Sequence, residues 1–87
     1  MPFEFDLAKS ASNKIKHGID FVEAQVIWLD QKRVETTMPT ASEQRFQMLG
    51  LIGEKLWSAI FTHRGEKIRL ISVRRVRKDE KERYHGR

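Results

Sequence analysis

The side chains best equipped for chemistry in this 87-residue chain are arginines crowded toward one end. Residues 64–87 carry ten Lys and Arg against four Asp and Glu, a net of +6, whereas residues 1–63 carry seven against eight, a net of −1. A neutral body with a basic C-terminal third points to a polyanionic partner, nucleic acid first, or to an acidic protein surface. Arginine suits a phosphate because its planar fork donates two parallel hydrogen bonds to it. Arg64 and Arg74 are the leading candidate phosphate ligands, with Arg69 third and Arg75 and Arg45 beside them. For each of these, a surface ion pair or a rim cation is the competing reading. On a regular strand Arg69 and Arg74 face opposite ways while Arg69 and Arg75 share a face, unless a bulge intervenes.

His17 and His63 are candidate proton carriers, since an unperturbed imidazole titrates near neutral pH. The competing readings are a helix-terminal residue bonding the last carbonyls for His17 and an exposed residue beside a turn for His63. Lys9 and Lys16 could add phosphate contacts from a helix, or simply form its solvated face. Glu43 reads as a base, as an orienting partner for Arg45, or as a plain strand-end ion pair. Tyr84 reads as a proton donor, a stacking ring, or the anchor of its helix. The chain has no cysteine, which excludes disulfides, zinc–thiolate sites and cysteine nucleophiles. No metal site and no glycine-rich phosphate loop is expected from the spacing of the remaining residues.

These side chains need elements to hold them. The length and a hydrophobic fraction of 39% are those of one domain, residues 1–87, with a single compact core. No apolar run reaches membrane-spanning length and the opening Met1-Pro2-Phe3-Glu4 lacks the basic-then-apolar pattern of a secretion signal, so a cytoplasmic protein is expected. Phe3 and Phe5 suggest a short opening strand. Asp6 is a good N-cap for a helix in which Leu7, Ala11 and Ile15 form the apolar stripe, and Gly18 ends it. Asp20 and Glu23 make a capping-box pattern for a second helix, with Phe21, Ala24 and Trp28 buried. Met38-Pro39-Thr40-Ala41-Ser42 reads as a loop. Strands follow over 33–38 and around Phe46–Ile52, and Gly53-Glu54 turns the chain into a strand from Lys55 to about His63. Another strand runs from Lys67 to Val76, apolar on both faces and therefore central. Lys78–Tyr84 closes the chain as a helix. The expected fold class is α+β, in the order β-α-α-β-β-β-β-α.

Phe5-Asp6-Leu7-Ala8-Lys9, Asn13, Lys16-His17-Gly18-Ile19 and Phe21-x-Glu23-Ala24 resemble the opening signature of the BrnT toxins. Glu43-x-Arg45, Gly50, and the run from Ile68 through Arg69, Ser72, Arg74 and Arg75 to Val76 resemble that family's strands, and Glu82 and Tyr84 its closing helix. Two departures are visible: Val73 stands where alanine is usual, and Gln44 separates Glu43 from Arg45. The resemblance implies a RelE-like fold, with helices on a curved antiparallel sheet. It also implies metal-independent RNA cleavage without a cofactor, and a BrnA-like antitoxin that blocks the toxin and carries the operator-DNA contact. Such cleavage uses the ribose 2′-hydroxyl as nucleophile, so it needs preorganised cations at the phosphate and help in moving protons. On that reading Arg64, Arg69, Arg74 and His17 are the catalytic set. A non-catalytic nucleic-acid-binding module, or a partner subunit of the antitoxin, is the alternative.

Overall fold

The computed structural model describes residues 2–86. Strand β1 is Phe3–Glu4, helix α1 Leu7–His17, and a 3₁₀ helix spans Glu23–Leu29. Strands β2 (Val34–Met38), β3 (Arg45–Ile52), β4 (Lys55–Arg64) and β5 (Lys67–Arg75) follow, and helix α2 (Lys78–His85) closes the chain. The sheet order is β1-β5-β4-β3-β2. The meander from β2 to β5 is antiparallel as expected, but β1 pairs with β5 in parallel, so the sheet is mixed. β5 is interior, one place from the edge, and β4 takes the middle. Gly18 and Gly53 hold positive φ angles of 78° and 62°, where a side chain would be strained.

Helix α1 begins where Asp6 caps it, its carboxylate accepting from the Lys9 N–H at 3.0 Å. Its buried face is not the apolar stripe. Leu7 and Ile15 are 79% and 86% exposed, while Ser10 and Asn13 are buried. The reason lies in what the helix packs against: backbone groups that need hydrogen-bond partners. Ser10 Oγ accepts from the Phe21 N–H at 2.9 Å, and the Asn13 amide bonds the outer edge of β5.

The second helical segment is 3₁₀ rather than α, so the element order departs from the expected β-α-α start. Its capping box is present, with Asp20 Oδ1 accepting from the Glu23 N–H at 2.8 Å and Glu23 Oε1 accepting from the Asp20 N–H at 2.9 Å. Phe21, Ala24 and Ile27 are each fully buried, a spacing of three that matches three residues per turn. Trp28 is buried beside them, with edge-to-face contacts to Phe3 and Phe61 at 5.1 Å.

The larger core lies between this layer and one sheet face, built from Met48, Ala59, Phe61, Ile68, Leu70 and Val73. The opposite face carries a smaller cluster, Leu49, Leu56 and Tyr84, under α2. Beyond α2 that face is not covered by a helix of the larger core. No helix among the described residues is long and apolar enough to cross a membrane.

Candidate functional site

Four arginines project from the sheet face opposite the larger core, and a β-bulge puts Arg69 and Arg74 there together. In the β4–β5 ladder Ile60 pairs with Ser72 and Phe61 with Leu70, which leaves Ile71 as one extra residue. Side chains directly opposite in a ladder share a face. Arg69 lies opposite Thr62, Ser72 opposite Ile60 and Arg74 opposite Ser58. Because Thr62, Ile60 and Ser58 alternate along β4, Arg69, Ser72 and Arg74 all join one face. Arg64, two residues past Thr62, joins it, and so does Arg45 through its alternation with Gln47, the partner of Ile60. The opposition of Arg69 and Arg74 expected for a regular strand is therefore removed. Arg75 goes the other way, opposite Trp57, with its guanidinium 5.4 Å from the indole ring centre.

Each of the three leading arginines meets a carboxylate, with different grip. Arg74 donates to both Glu80 oxygens, Nη1 and Nη2 each at 2.8 Å, and its Nη1 also reaches the Arg75 carbonyl at 3.1 Å. That fork is occupied, and the pair is largely buried, with Glu80 side-chain exposure of 7%. The Arg74 guanidinium, first among several donors, draws the Glu80 carboxyl down to about 2 against a raising effect of burial. Arg69 donates a single bond to Glu4, Nη1 to Oε2 at 3.0 Å. Arg64 stands 3.6 Å from Glu43 and is half-exposed, so its fork is the most available. Glu43 thus pairs with Arg64 rather than orienting Arg45.

A cleft of about 200 Å³ opens between α1 and β5, lined by Lys9, Ser12, Asn13, Lys16, His17, Ile71 and Ser72. Ser72 belongs to the arginine face as well, so the cleft and that face meet at this residue. Lys9, Lys16 and His17 of α1 therefore line a cleft that reaches the edge of that face at Ser72. His63 lies elsewhere, against Phe46 and Phe61 on the core side at 5.1 and 5.7 Å. Tyr84 is buried, its hydroxyl donating to Asp30 Oδ2 at 2.5 Å, which makes it the anchor of α2. Among the described residues no group of three or more His, Asp or Glu converges as metal ligands.

The sequence matches the family model described as "Ribonuclease toxin, BrnT, of type II toxin-antitoxin system" over residues 5–80. The chain belongs to this family. No curated protein matches it. The matched span of this BrnT family member includes α1, all of β2–β5 and the start of α2, and so every residue of the cleft and the arginine face described above. A type II toxin has an antitoxin partner, which the family assignment carries with it.

Three residues of the BrnT chain's polar framework hold the site in ways that the sequence did not indicate: Glu80 is expected there only as an acidic residue near a helix start. Glu80 fixes Arg74 and also accepts the Arg77 N–H at 2.8 Å and Gln47 Nε2 at 2.7 Å. Gln47 bridges further to Ser58 Oγ at 2.8 Å and accepts from Arg83. Asn13 entered only as a signature residue. A glutamate three residues into a helix also marks a reach back to the N-cap amide, a signal for Glu80 beside its acidic place at the helix start.

Proposed function

We propose that the arginine face and the adjoining α1 cleft form the ribonuclease centre, which cleaves RNA without a metal through the ribose 2′-hydroxyl. The single observation that carries this reading is the bulge at Ile71, which brings Arg69 onto the face that also holds Arg64 and Arg74. Arg64 and Arg69 bind the non-bridging oxygens of the scissile phosphate, since their pairs with Glu43 and Glu4 leave donors free. These donors aim at charge that grows in the transition state, where removal of one typically costs ~10²–10³-fold in rate. Arg74, gripped by Glu80, keeps its charge at the border of the site and locks α2 in place. Arg45 extends the cationic row. Arg75 contributes only to long-range attraction, from the far face.

His17 takes the proton from the 2′-hydroxyl. The freed oxygen attacks phosphorus, the bond to the 5′-oxygen breaks, and that oxygen takes a proton from water, whose hydroxide takes back the proton held by His17. The products are a 2′,3′-cyclic phosphate and a free 5′-hydroxyl. Lys9 and Lys16 hold neighbouring phosphates along the cleft. Glu43 orients Arg64. Helices over a largely antiparallel sheet support a RelE-like fold, and a BrnA-like antitoxin in the cytoplasm completes the system by covering the cationic face.

The test is incubation of purified protein with RNA in excess EDTA, followed by analysis of product ends. Cyclic phosphate termini are expected. Intact RNA, or cleavage that EDTA abolishes, would overturn the mechanism. Salt-sensitive binding without turnover would instead favour a non-catalytic nucleic-acid-binding module.

A further inference from the structure

The outer edge of β5 is shared between two different partners. β1 takes its first part, pairing at Ile68 and Arg69, with the Ile68 N–H donating to the Pro2 carbonyl at 2.9 Å. Past the bulge no strand continues, and a buried side chain takes over. Asn13 Oδ1 accepts from the Val73 N–H at 3.2 Å, and Asn13 Nδ2 donates to the Val73 carbonyl at 2.8 Å. The same Nδ2 donates to the Ile19 carbonyl at 2.8 Å, just past the end of α1. A primary amide has two donors and an oxygen with two lone pairs, so these three bonds use both donors and one of the two acceptor sites. Asn13 acts here as one residue of a missing strand.

The place of this clamp matters. Val73 lies between Ser72 and Arg74, two residues beyond the unpaired Ile71. The extra residue of a bulge interrupts the ladder and bends its strand, and beyond it Asn13 holds both the outer amide and the carbonyl of Val73. Asn13 also sits on α1 between Lys9 and Lys16, and it lines the cleft with them. One amide therefore ties the cations of the helix to those of the strand.

We infer that Asn13 is a positioning residue for RNA cleavage, holding α1 against the strand beyond the bulge so that His17 and the lysines of the cleft face the phosphate that Arg69 binds. This rests on the ribonuclease reading above. Ser10 supplies the internal control, because its hydroxyl tethers the same helix through the Phe21 N–H rather than through β5. Asn13→Ala, Asn13→Asp and Ser10→Ala are compared with the wild type by RNA cleavage kinetics and by amide hydrogen exchange. Asn13→Asp keeps the acceptor for Val73 N–H but offers no donor to either carbonyl, so volume is separated from hydrogen bonding.

Both Asn13 variants are expected to lose kcat by about 10²-fold with KM little changed, since misplacement by an ångström has that scale of effect. Ser10→Ala is expected to keep kcat. Exchange should quicken at Val73 in Asn13→Ala and at Phe21 in Ser10→Ala. Equal losses of kcat in folded Asn13→Ala and Ser10→Ala would overturn the inference, as would unchanged exchange at Val73. If the wild type itself leaves RNA intact, the ribonuclease reading fails and the positioning role in catalysis falls with it. Exchange at Val73 then still reports whether the clamp exists.

Discussion

Glu80 receives four donors, two from Arg74, one from the Arg77 N–H and one from Gln47. A carboxylate held this way is stabilised as the anion, and the depressed value of about 2 records it. Because the folded value lies below the unfolded one, the stabilisation is complete above about pH 5 and fades as pH falls toward 2. Its size is on the order of 3 kcal/mol. Glu80→Gln should therefore lower the denaturation midpoint at pH 7, and the gap between variant and wild type should narrow by pH 3 and close only at about pH 2 and below. An equal gap at pH 7 and pH 3 would contradict the ion-pair account. His17→Ala should cut cleavage by ~10²-fold or more while leaving thermal unfolding unchanged, as for a general base on an exposed helix end. The sequence displayed the arginines but not their partners. Glu80 meets Arg74 only because the chain turns at Val76 and Arg77 into α2, and nothing in the spacing of a strand arginine announces that turn's geometry.

Helix α1 shows what periodicity can and cannot convey about an element. Its cap at Asp6, its stop at Gly18 and its length were all legible, because these rest on local backbone chemistry. Its orientation was not, because the apolar stripe of Leu7, Ala11 and Ile15 faces outward and the polar residues face a strand edge. The 3₁₀ helix was legible as helical and as capped, but seven residues are too few to separate a period of 3.0 from 3.6. Gly50 bears on how that segment packs. A Cβ there would lie 2.8 Å from Ile27 Cγ2 and 3.0 Å from the Ile27 carbonyl oxygen, so the close approach of the 3₁₀ helix to β3 requires glycine. Gly50→Ala should destabilise the protein by about 1–3 kcal/mol, the usual cost of overpacking, seen as a lower melting temperature. An unchanged melting temperature would show that the segment can retreat freely. The bulge at Ile71 was foreseen only as a condition: the alternation of β5 could not say whether it occurs, because an extra residue leaves no compositional mark.

For the whole molecule, the charge asymmetry was the most legible feature, and the fold converts it into a surface. Strands β3, β4 and β5 put Arg45, Arg64 and Arg69 on one side, and α1 adds Lys9 and Lys16 at the border. The parallel pairing of β1 could not be read from Phe3 and Phe5, since two residues carry no register. A surface of this kind binds RNA by releasing counterions, so log affinity should fall linearly with log salt. Arg64→Ala should reduce that slope by about one, and a slope indifferent to the cations would place the RNA elsewhere. The convergence itself is tested most directly by a double-mutant cycle on RNA cleavage with Arg64→Ala, Arg69→Ala and the pair. Side chains that share one phosphate act as a unit, and the account predicts that the double variant is nearly as active as the worse single one. Losses that simply multiply would mean that the two arginines serve separate phosphates, and would contradict it.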